Sequence, residues 1–195
     1  MIQKISNQQK AVILLHEIYG INQFMEDTCN EYHRQGFDVF CPDMLAGEFF
    51  SYSEAAKAHQ YFSNKIGFDF YREMEPMIEQ LKHTYDKIFL IGFSAGATVA
   101  WRCSENNRCD GIVCCYGSRI RDYLPVQPKC PVLLLFAEQD LFDVEGVINQ
   151  LSGKNQIEIR KVQASHGFMD PYSPNYNRKQ AIISKKHISD FFKRI

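Results

Sequence analysis

Between Lys87 and Glu105 the sequence passes from an apolar run, Lys87-Ile88-Phe89-Leu90-Ile91-Gly92, through Phe93-Ser94-Ala95-Gly96 and straight into helical spacing. A run that is apolar at consecutive positions has no solvent face, so as a strand it must be covered on both sides. Residues 11–16, 37–41, 111–116 and 131–137 carry the same signature, short and mostly apolar. Residues 157–162 alternate apolar with polar, which suits a strand nearer a sheet edge. Helical segments lie between them. Residues 24–35 form one that stops at Gly36, and a C-terminal segment spaces Ile188, Phe191, Phe192 and Ile195 along one face.

Doubly covered strands alternating with helices predict an α/β fold, a mostly parallel sheet of six or seven strands with helices on both faces. The 195 residues suffice for one core without a disulfide or metal staple. No repeat or Pro/Gly/Ser linker divides them, so one domain over residues 1–195 is expected. Residues 43–67, rich in aromatic and small residues, read as an irregular loop or lid over a site. Pro76 interrupts the helical pattern of residues 71–85, predicting a helix start or a kink there.

Charge narrows the partners. Lys plus Arg total 22 against 23 for Asp plus Glu, a balance that makes no case for nucleic acid or an anionic membrane. No apolar stretch is long enough to span a bilayer. The seven cysteines are scattered without a C-x-x-C pair, as expected of reduced, buried thiols in a soluble cytoplasmic protein.

Gly92-Phe93-Ser94-Ala95-Gly96 is a G-x-S-x-G string, and its context is what gives it chemical meaning. Following a buried strand and opening a helix, it places Ser94 on a tight turn with its hydroxyl above the sheet. Flanking glycines relieve crowding where strand and helix nearly touch. The Ala95 N–H and the helix dipole then face a developing oxyanion.

A serine hydroxyl needs a base to take its proton. Of six histidines, His166 lies in Ser165-His166-Gly167-Phe168, a loop just past the strand at 157–162. His33, His83 and His187 fall in polar helical segments, and His59 lies in the lid. The imidazole needs an acid to fix its tautomer. Asp140 follows the strand at 131–137, with Asp143 and Glu138 as nearby competitors. Ser94, Asp140, His166 is the chain order of α/β-hydrolases. The loop after the first strand, His16-Glu17-Ile18-Tyr19-Gly20-Ile21-Asn22, offers Ile18 as a second oxyanion donor. Glu17 there is either a proton partner beside the nucleophile or a carboxylate shaping the turn.

These strings resemble the dienelactone hydrolase family. The likeness runs through residues 16–22, the elbow at 92–96, Tyr116-Gly117, residues 137–140 and Ser165-His166-Gly167-Phe168, in family order along nearly the whole chain. It implies a compact α/β-hydrolase fold with a Ser94–Asp140–His166 triad, an oxyanion hole from Ile18 and Ala95, and Glu17 beside the nucleophile. The expected substrate is a small ester or lactone, with no cofactor or metal. Two departures stand out. The best-known members use cysteine where this chain has Ser94, and their substrate-carboxylate arginines have no clear match. Arg72 is the candidate here, against a solvated arginine at a helix start. Tyr19, Phe93, Tyr116 and Phe168 flank the motifs and are candidate pocket walls, or equally core. A thioesterase or peptidase on the same triad, and a non-catalytic ligand-binding protein of this fold, are the alternatives.

Overall fold

A computed structural model describes residues 1–106 and 108–195. The described residues form a seven-stranded sheet in the order β1-β3-β2-β4-β5-β6-β7. The strands are β1 Ile2–Lys4, β2 Lys10–Leu15, β3 Asp38–Cys41, β4 Lys87–Phe93, β5 Gly111–Cys115, β6 Val132–Gln139 and β7 Ile157–Ser165. Only β1, against β3, pairs antiparallel; the other pairs are parallel. The helices are α1 Gln23–Arg34, α2 Ala55–Tyr61, α3 Tyr71–Lys82, α4 Ala95–Cys103, α5 Val144–Leu151 and α6 Arg178–Arg194. None is long and apolar enough to cross a membrane.

Strand alternation explains the two-sided burial. Ile13, Leu15, Ile88, Leu90, Ile112 and Leu134 face one layer, packed with Met74 and Ile78 of α3, Val99 and Trp101 of α4, and Val147 of α5. Their neighbours Val12, Leu14, Phe89, Ile91, Val113 and Leu133 face the other, packed with Met25 and Cys29 of α1 and Ile188 and Phe191 of α6. The apolar runs are therefore full strands of a doubly wound sheet. All seven cysteines are buried and unpaired.

Two expectations change. Residues 43–67 are not irregular throughout: Tyr52–Glu54 forms a 3₁₀ turn, α2 follows, and Phe62–Ile66 forms one π-helical stretch ending at Gly67. Their aromatics pack inward, Phe50 on Tyr61 and Phe62 on Phe68, so the segment is a helical cover. Pro76 does not start a helix: it lies inside α3, which begins five residues earlier at Tyr71. The short edge strand β1 and helix α5 carry too few periodic residues to have stood out in the sequence.

Candidate active site

The connection from β2 leads to β3 on one side, whereas β4 lies on the other side of β2. This reversal opens a crevice at the carboxyl ends of β2 and β4. Ser94 alone joins β4 to α4, at φ 51° and ψ −111°. That conformation is costly for a side-chain-bearing residue, and backbone bonds hold it. Its N–H donates to the Cys115 carbonyl at 2.9 Å, while its own carbonyl accepts from Ala97 and Thr98 at 3.1 and 3.3 Å. Both flanking glycines are required by space. A Cβ at Gly92 would stand 2.1 Å from the Gly96 carbonyl oxygen, and one at Gly96 2.3 Å from that of Leu15.

The structure brings Ser94, His166 and Asp140 into one line. Ser94 Oγ lies 2.8 Å from His166 Nε2, and His166 Nδ1 lies 2.7 Å from Asp140 Oδ2. With the Nδ1–H donating to the carboxylate, Nε2 is left as acceptor for the serine hydroxyl. The last rung of the β6–β7 ladder sets acid and base side by side. Gln139 pairs with Ser165 across a register irregularity, and the His166 N–H donates to the Gln139 carbonyl at 3.1 Å. Asn175 Nδ2 donates to the His166 carbonyl at 2.9 Å. Burial of His166 opposes its charged form, but the hydrogen bond and charge of Asp140, with the charge of Glu17, outweigh it and raise the imidazole above its ordinary value. The competing carboxylates have other partners: Asp143 caps α5 through the Gly146 N–H at 2.9 Å, and Glu138 faces Lys161 at 3.6 Å.

Glu17 follows β2 and is buried, 6% exposed. Its Oε1 has no hydrogen-bond partner, nor has the Tyr116 hydroxyl beside it. Burial raises the Glu17 carboxyl to about 7; the charge of His166 pulls it down and that of Asp170 adds to the rise. His16 fixes the backbone at this point. Its Nε2 accepts from the Met44 N–H at 2.9 Å, so its proton sits on Nδ1, which donates to the Glu17 carbonyl at 2.6 Å. Ile18 and Ala95 border the same cavity as Ser94. As the first residue of α4, Ala95 has an N–H that no preceding turn can satisfy.

The cavity encloses about 1090 Å³. Tyr19 lines it, but Phe93, Tyr116 and Phe168 do not, correcting their assignment as pocket walls. All three are buried behind it: Phe93 points to the α1 face and packs edge-on against Phe24 at 5.0 Å, while Tyr116 buttresses His166 at 5.2 Å and Phe168 at 5.4 Å. Arg72 is a second correction. It lies outside the cavity, exposed on α3 with its guanidinium 5.8 Å from the Tyr71 ring. The cations that do line the cavity are Arg119 and Arg121, from the 3₁₀ turn Ser118–Asp122 after β5. They share one carboxylate, Asp122, at 2.6 and 3.9 Å. Two arginines just past the carboxyl end of a buried strand were the sequence signal for them. Tyr52 and Phe62 of the cover also line the cavity, and no periodicity marks them.

Comparison with known proteins finds relatives over the whole chain. The family model described as "Dienelactone hydrolase family" matches residues 1–195. The chain is 39% identical over 173 residues to the uncharacterized protein YczH of Bacillus subtilis (strain 168), covering 86% of this chain and 84% of that one. It is 24% identical over 201 residues to a carboxymethylenebutenolidase of Pseudomonas putida, covering 93% and 84%. A crystal structure of a putative dienelactone hydrolase from Klebsiella pneumoniae superposes with a TM-score of 0.82 at 16% identity, covering 98% of this chain and 90% of that one.

Proposed function

This chain belongs to the dienelactone hydrolase family, and from that premise we propose that it hydrolyses small carboxylic esters or lactones through an acyl-enzyme on Ser94. Ser94 attacks the carbonyl carbon while His166 Nε2 takes the hydroxyl proton, and Asp140 steadies the imidazolium so formed. The main-chain N–H groups of Ile18 and Ala95 receive the oxyanion. One such donor is worth about 3–4 kcal/mol in the transition state. His166 then returns its proton to the leaving alkoxide, which departs as the alcohol. In a lactone it stays tethered to the acyl group. A water that His166 deprotonates releases the acid and restores the serine.

The observation that carries this reading is the unbroken Ser94–His166–Asp140 hydrogen-bond line, at 2.8 and 2.7 Å, opening on a cavity. A fold kept only for binding would have no use for a strained serine backed by a base and a buried acid. The likeness to a carboxymethylenebutenolidase favours a substrate bearing a carboxylate, and Arg119 and Arg121 are the groups to meet it.

The test is direct. A fluorophosphonate probe labels Ser94, as read by peptide mass spectrometry, and Ser94→Ala lowers kcat on an aryl acetate by about 10⁴-fold or more while the protein stays folded. Retained activity in that variant ends the proposal.

A further inference from the structure

Acyl transfer as described gives Tyr52 no task, yet its hydroxyl is the meeting point of three segments around the cavity. Tyr52 opens the helical cover, and its ring lines the cavity. Its hydroxyl donates to Asp170 Oδ2 and accepts from Asn22 Nδ2 at 3.0 Å. Both partners are themselves fixed. Asn22 caps α1, its Oδ1 accepting from the Met25 N–H at 3.1 Å. Asp170, fully buried four residues after His166, accepts from the Tyr172 N–H at 2.8 Å.

The cover and the loop at residues 17–22 touch beside this point. The Tyr52 ring meets Tyr19 edge-on at 4.8 Å, and the Phe50 N–H donates to the Tyr19 carbonyl at 3.1 Å. A Cβ on Gly20 would stand 2.7 Å from the Glu48 carbonyl oxygen. One phenol therefore ties the loop carrying Glu17 and Ile18, the cover, and the loop that leaves His166. Asp170 and Glu17 are two buried acids whose charges oppose each other, an electrostatic cost that the Tyr52 hydrogen bond to Asp170 eases. Such arrangements are kept where geometry matters more than stability.

We propose that Tyr52 is a positioning residue whose hydroxyl clasps these three segments in the arrangement that holds the base and the oxyanion donors around Ser94. In its kinetic consequence this rests on the serine-hydrolase reading above; in its structural consequence it stands alone.

Tyr52→Phe removes only the hydroxyl. A matched control exists at the other end of the sheet, where the Tyr85 hydroxyl donates to the buried Asp38 at 2.9 Å, so Tyr85→Phe deletes an equivalent bond away from the cavity. Amide hydrogen exchange read by mass spectrometry is expected to quicken about tenfold in residues 50–61 and 167–173 of Tyr52→Phe, and in neither segment of Tyr85→Phe. On p-nitrophenyl acetate, Tyr52→Phe is expected to lower kcat about tenfold with KM within about twofold. Adding Asp170→Asn should cost no more than about another twofold beyond the weaker single variant, because the two groups act as one bond. Unchanged exchange and kcat in Tyr52→Phe, losses that multiply in the double variant, or equal losses in Tyr85→Phe would overturn the clasp. Should the wild-type protein resist the fluorophosphonate and the ester, the serine reading falls, and the exchange comparison alone still decides the clasp.

Discussion

Glu17 is the residue whose chemistry is least conventional here. Burial holds its carboxyl near 7, against an ordinary value of 4.5, so between those values the folded protein binds a proton that the unfolded chain has lost. Stability then falls as pH rises through that window, because the native state must either keep the proton or bury a charge. The gap corresponds to about 3 kcal/mol at most. Glu17→Gln is isosteric with the protonated acid and should be more stable than wild type at pH 8 and nearly equal at pH 4, as measured by urea denaturation. The same change should act on the base. The Glu17 charge helps to raise His166, so removing it favours the neutral imidazole, and the acid limb of the kcat/KM–pH profile should move to lower pH. A limb that stays in place, or moves up, would separate Glu17 from the titration of His166.

At the scale of elements, the decisive contact is α4 against β2. Gly96 lies where a Cβ would press on the Leu15 and His16 carbonyl oxygens at 2.3 and 2.6 Å. Neither group has a flexible end that can yield. Gly96→Ala should cost about 2–3 kcal/mol of stability. By displacing the elbow it should also lower kcat by about 100-fold. This requirement was legible, since a glycine two residues past a serine between strand and helix implies crowding. Helix α3 was less so. Pro76 sits in its sixth position, where it denies the Arg72 carbonyl a partner, yet Met74, Ile78 and Leu81 bury enough apolar surface to carry the helix through. Tertiary packing overrode the local signal. Pro76 is exposed, so Pro76→Ala restores the bond at no cost in packing. It should raise Tm by about 2–4 °C, the equivalent of roughly 1 kcal/mol, and leave kcat/KM as it was.

At the scale of the molecule, the parallel sheet gathers residues 17, 94, 140 and 166 because each follows the carboxyl end of a different strand: β2, β4, β6 and β7. That part of the site was readable, since a strand end is a local signal and the doubly wound fold supplies the convergence. The cavity walls were not. Phe93 and Phe168 stand next to motif residues in sequence but on the far side of the backbone in space, whereas Tyr52 and Phe62 reach the cavity from a cover whose packing no periodicity announces. Charge is distributed across the cavity in the same non-local way. Glu17 and Asp170 are buried on one side of His166, while Arg119 and Arg121, exposed or half-buried, line the cavity from the turn after β5. Asp122 offsets only one of the two arginines. A carboxylate entering the cavity from the turn after β5 would meet the positive charge of these arginines first. Replacing both arginines by alanine should therefore raise KM about tenfold for a lactone or ester that carries a carboxylate. The same variant should leave KM for a neutral aryl acetate within about twofold, because that substrate gains nothing from the arginines. Steady-state kinetics on the matched pair of substrates reads the difference, and equal effects on both would mean that Arg119 and Arg121 shape the wall without selecting the charge.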